Sequence, residues 1–182
     1  MRAYLFALLK LSALLLVVFA LAVAVGFEAW LGDPQQWLAG LGPWAAVVSV
    51  ALLWADVVLP IPSSLLMVAN GACFGLVAGA SLSLIGGVGA TLIAWWIGNS
   101  SQNLFKVEMN TEERLKTEKY LTKWGAFAIT TSRPIPILAE SVALLSSTLP
   151  MTPLSIGLYA ALGHLIPCVL YAEMGARFMS GR

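Results

Sequence analysis

Four ionisable residues stand where an apolar sequence tolerates them least. Asp56 comes shortly before Leu59-Pro60-Ile61-Pro62, Arg133 opens Arg133-Pro134-Ile135-Pro136, Glu140 follows in the same apolar run, and His164, the single histidine, lies in the last run. A charge at the centre of a bilayer costs about 2.5–3.5 kcal/mol on insertion scales, so each such group needs a partner, water or a function. Arginine keeps its charge and can make two parallel hydrogen bonds to a phosphate, which makes Arg133 a candidate anion ligand. Burial raises a carboxyl pKa, so Asp56 and Glu140 are candidate proton carriers. His164 fits either a proton relay or a satisfied structural group. Ser63, Ser64 and Asn70 can add hydrogen bonds to a bound anion, although Ser63 serves equally well as a helix cap. A structural account also stands: Arg133 capping open carbonyls, or pairing with Asp56 or Glu140 to hold segments together.

The elements that position these residues follow from proline and hydropathy. Proline lacks the amide proton a helix needs, and its ring clashes with the preceding turn. It also drives the residue before it out of the helical region. Each Pro-Ile-Pro triplet therefore opens the backbone, and hydrocarbon tolerates open backbone only where protein or a water-filled cavity covers it. Pro60, Pro62, Pro134 and Pro136 are thus the expected hairpin breaks. The arms beside the first break are about 22 Å long if helical, short for a full crossing and suited to a re-entrant hairpin. Paired interrupted segments in two halves point to a midplane site; two unrelated proline kinks are the plainer alternative.

Composition sets the class. Of 182 residues, 59% are hydrophobic and 10% charged, against about 25% charged in soluble domains. The expected fold is an all-α integral membrane protein, with transmembrane helices and two opposed re-entrant helical hairpins. Residues 1–42 form an N-terminal anchor helix and an external interfacial segment. Residues 43–176 form the membrane domain: hairpin 44–77, span 79–98, cytoplasmic amphipathic loop 99–123, hairpin 124–149 and span 153–176. A short tail, 177–182, follows. The first apolar stretch, Tyr4 to Phe27, reaches a spanning length of about 20 residues, which favours an uncleaved anchor over a signal peptide. In the polar stretch, Asn110 and Glu113 have the spacing of a helix N-cap and its box partner. That helix either lies on the membrane or is an ordinary solvated one.

Lysine and arginine set the orientation. None occurs between Lys10 and Lys106, whereas Lys106, Arg114, Lys116, Lys119 and Lys123 cluster together. The N-terminus and loop 99–123 are therefore expected to be cytoplasmic. Trp30, Trp37 and Trp44 fall near one interface, and Trp95, Trp96 and Trp124 near the other, as tryptophan prefers. Two hairpins place the C-terminus outside, whereas a single kinked span over 125–149 places it inside. The net charge of +1 leaves no basic face for nucleic acid. Cys73 and Cys168 lie in separate apolar stretches without a metal-ligand spacing, so no cofactor, metal or disulfide is expected. Gly86, Gly87 and Gly89 fit close helix packing.

The stretches from Leu59 to Gly75, Ile85 to Asn99, Ser132 to Met151 and Leu162 to Gly175 together resemble the DedA family and its VTT-domain, SNARE-associated relatives. The resemblance covers roughly residues 43 to 176. It implies two opposed re-entrant hairpins and movement of lipid across the bilayer. The implied cargo is a polyprenyl phosphate in bacterial members, with proton coupling, or phospholipid scrambling in eukaryotic relatives. The family's hairpin acid maps onto Asp56 and its hairpin arginine onto Arg133. Two departures stand out: the first hairpin carries one acid, and Ala90-Thr91 occupies a place where the DedA branch often has an acidic residue. The expected function is thus a flippase- or scramblase-like lipid transporter in a bacterial inner membrane, without enzymatic activity, with a homo-oligomer left open. The rivals are a membrane lipid phosphatase, with Ser132 beside Arg133 as its nucleophile, and a non-transporting scaffold or assembly factor.

Overall fold

The computed structural model describes residues 13, 16, 17, 20, 21, 34–59, 61–100, 124–132, 142–143 and 151–180. Arg133, Glu140, Pro60, Pro134 and Pro136 lie outside the described residues, as do 101–123 and most of the expected anchor helix. Among the described residues every regular element is helical: α1 (Pro34–Gly40), a 3₁₀ turn (Gly42–Trp44), α2 (Ala45–Ala55), α3 (Ser63–Ser100), α4 (124–132) and α5 (Pro153–Ser180). Two of them, α3 and the stretch Pro153–Phe178 of α5, are long and apolar enough to cross a membrane. The chain forms two compact units, Met1–Val18 with Thr91–Gly163, and Phe19–Ala90 with His164–Arg182.

In the second unit, α2 is apolar apart from Ser49 and stops at Asp56, where a series of turns begins. The Val58 and Leu59 amides donate to the Ala55 carbonyl at 2.9 and 2.8 Å. Helix α3 starts at the Pro62 carbonyl, which accepts from the Leu65 amide at 2.9 Å. Proline is tolerated there because no helical donor is needed at the first turn.

Helix α3 is not one rod. Gly75 has φ 77° and ψ 175°, a conformation open only to glycine at low cost. Asn70 and Ser83 would lie about 20 Å apart along a continuous helix, yet Asn70 Nδ2 donates to Ser83 Oγ at 3.1 Å. A methyl group on Gly79 would come within 2.6 Å of the Asn70 carbonyl oxygen. The chain therefore reverses at Gly75 into a first arm, 63–74, and a second arm, 76–100. The boundary expected between hairpin 44–77 and span 79–98 thus falls at Gly75, and a glycine without proline makes the reversal. The second arm is about 37 Å long, enough by itself for a crossing. Asn99 and Ser100, expected in the polar loop, still belong to this helix.

The core of this unit gathers Leu38 from α1, Ala45 and Leu53 from α2, Ile61, Leu66, Met67 and Ala69 around the first arm, and Cys168 from α5. Small residues allow close backbone approach, the usual mode of packing between membrane helices. Gly71 faces the Ala172 backbone, and Gly175 faces the backbone of Val68 and Ala72.

In the other unit, Ile129 of α4 packs with Ile156 and Ala160 of α5. The Thr130 hydroxyl donates to the Tyr159 carbonyl at 3.2 Å. The α5 start is legible in Thr152-Pro153: Thr152 Oγ1 accepts the Ser155 amide at 3.2 Å, an N-cap followed by proline at the first helical position.

Candidate functional site

The first break is held by its own acid. Asp56 Oδ1 accepts the Ile61 amide at 3.1 Å, and the Ser63 side chain also hydrogen-bonds the carboxyl group. The Ile61 amide is shared with the Leu59 carbonyl at 2.7 Å. This carboxyl group thus closes the turn that precedes Pro62, joining the end of α2 to the start of α3. Asp56, Pro62, Ser63 and Ser64 are all half-buried, while Val58 and Leu59 beside them are exposed. An acid, two hydroxyls and open backbone are thereby gathered within one short segment.

Contacts along the second arm give the break its height. Leu53 lies against Gly86, and Trp54 Nε1 against Gly89, where a Cβ would collide with the side chain. The order of these pairs makes α2 and the second arm parallel. Gly89 is about 20 Å from the start of that arm, and the helix continues about 16 Å further to Ser100. Trp54, two residues before Asp56, therefore stands close to the middle of the arm's length. His164 packs on a neighbouring glycine: a methyl on Gly87 would meet its Nδ1 at 2.8 Å. The glycine-rich stretch thus separates the end of α2 from His164, with neither able to pack so closely against a larger residue.

Asn70 is fully buried; its amide oxygen accepts the Ser49 hydroxyl and its amide nitrogen donates to Ser83. Residue type alone did not mark Ser49 and Ser83, because a serine in an apolar helix carries no indication of its partner. Ser132, the nucleophile of the hydrolytic alternative, is buried and donates to the Ile129 carbonyl at 3.1 Å within its own helix. Among the described residues no group of three or more His, Cys, Asp or Glu side chains could hold a metal ion.

Residues 61–177 match the family described as the VTT domain. No curated protein and no solved structure matches the chain. The match begins within the first proline break and ends near the close of α5, and so takes in both arms of α3 and the long apolar stretch of α5. The chain is a membrane protein of the VTT domain family, the DedA/SNARE-associated family.

Proposed function

We propose that this protein moves a lipid with a phosphate headgroup across the bilayer, as a flippase- or scramblase-like transporter rather than an enzyme. The observation that carries the reading is the height of the Asp56–Pro62 break, level with the middle of the long second arm. A helical hairpin that ends there enters the bilayer and turns back, and its open backbone and polar side chains then face a cavity at mid-depth. Family membership supports the same reading.

In this proposal the two hairpins are re-entrant and opposed, with the second broken at Pro134 and Pro136. Arg133 binds the headgroup, and Ser63 and Ser64 add hydrogen bonds. Asp56 and Glu140 exchange protons, with His164 as a further relay. The cargo class is a polyprenyl phosphate or another phosphate lipid, and the setting is a bacterial inner membrane with loop 99–123 cytoplasmic.

Translocation in proteoliposomes tests this, with a polyprenyl phosphate and an ordinary phospholipid as reporters. The wild-type chain is expected to move at least one of them, and folded Arg133→Ala to lose at least tenfold in rate. If the wild type moves neither, with or without a proton gradient, transport is refuted. Phosphate release from a polyprenyl pyrophosphate, abolished by Ser132→Ala, would replace transport by hydrolysis.

A further inference from the structure

Ser49, Asn70 and Ser83 are fully buried and lie on three different helical pieces: α2, the first arm and the second arm. One amide joins them, accepting from Ser49 and donating to Ser83. An asparagine side chain suits this task because it carries an acceptor and a donor at the two corners of one plane. The core cluster of the same unit is apolar, with Leu53, Leu66, Met67 and Ala69 among its buried residues, and apolar contacts are almost as good with lipid or after a small slide. The polar contacts are not so tolerant. A slide of one helical turn, about 5.4 Å, separates donor from acceptor. It leaves buried polar groups without partners, the costliest outcome for them.

Ser49 and Asn70 also lie equally far along the chain from the Leu59–Pro60 bond, one on each side of the break. Asp56 is about 10 Å beyond Ser49 along α2, and Ser63 is about 10 Å before Asn70 along the first arm. The bond between them therefore sets the two flanks of the break against each other. The bond to Ser83 sets both against the second arm.

We infer that Asn70 is a positioning residue, the register lock that fixes the height of the Asp56–Pro62 break, and that it is not a ligand of the headgroup. Its effect on transport rests on the proposed function, whereas its effect on register does not. Buried polar groups that specify register among otherwise interchangeable apolar contacts are well attested in helical assemblies.

The test replaces the whole polar set, so that no orphaned group remains: Ser49→Ala with Asn70→Leu and Ser83→Ala. Spin labels go on the exposed positions Val47 and Leu65, introduced as cysteines in a chain carrying Cys73→Ala and Cys168→Ala. The parent is expected to give one narrow distance, and the triple variant a broadened or second distance with helical content retained. Lipid translocation is expected to fall at least tenfold in the triple variant. A merely structural amide predicts that the apolar set restores both, so an unchanged narrow distance overturns the inference. Should the triple variant not fold, Ser49→Thr, which keeps the hydroxyl that joins α2 to the first arm, is compared with Ser49→Ala. The first should keep the parental distance and the second broaden it, and equal behaviour overturns the lock. If the parent itself moves no lipid, the transport proposal falls, and the distance measurement still decides the lock.

Discussion

At the scale of single residues, Asp56 has two separable properties, a charge and an acceptor oxygen. The acceptor closes the turn through the Ile61 amide, and an asparagine in its place retains an oxygen there. Asp56→Asn is therefore expected to unfold in detergent at nearly the parental temperature. Asp56→Ala should lose about 0.5–1.5 kcal/mol, the net worth of a hydrogen bond, because the amide keeps its contact with the Leu59 carbonyl. Equal losses in the two variants would mean that the charge, and not the acceptor, holds the break. Under the transport proposal the same Asp56→Asn chain loses proton dependence while keeping its fold. Turn-holding and proton exchange can thus be read from different measurements on one pair of variants.

Among the elements, glycines decide how the helices meet. Gly71 has the Ala172 backbone against the position of a Cβ, and backbone cannot swing aside as a long side chain can. Gly71→Leu should destabilise the fold by at least the ~1–3 kcal/mol typical of overpacking, seen as a lower unfolding temperature in detergent. Gly40 has nothing within 4 Å of that position, so Gly40→Ala serves as the control and should leave the temperature unchanged or slightly raised. At Gly75 the space is open but φ is positive, so Gly75→Ala pays in backbone strain, about 1–2 kcal/mol. A temperature loss at Gly75 as small as at Gly40 would argue against the reversal that divides α3 into two arms.

For the whole molecule the question is depth in the bilayer. Val58 at the break and Trp44 at the start of α2 are both exposed, so a probe at either position reports its surroundings without disturbing a core. A spin label at Val58→Cys should report the bilayer centre to lipid-borne and water-borne relaxation agents, and one at Trp44→Cys the interface. An interfacial depth at Val58 would make the first hairpin a full crossing and remove the main support for a midplane site. The side of the C-terminus follows from the number of crossings, and a tag after Arg182 reports it. An outside tag agrees with two hairpins, an inside tag with one kinked span through 125–149.

The membrane class, the helical character of the described segments and the first break were readable from the residues alone. Hydropathy, charge spacing and proline act locally, and the same holds for the Thr152-Pro153 start of α5. The matched family was readable for a similar reason, since its short motifs keep their order along the chain. Other features needed the tertiary structure. The reversal at Gly75 lies inside an apolar run from Leu65 to Ile97 in which no proline or charge interrupts the pattern, and a glycine there is as compatible with packing as with a turn. The partners of Asn70 were equally hidden, because its bonds join positions far apart in the chain. In a soluble helix the hydrophobic face reveals what is buried. Lipid makes every face of a membrane helix apolar, so burial is decided by which small and polar residues come together, and only the folded chain brings them together.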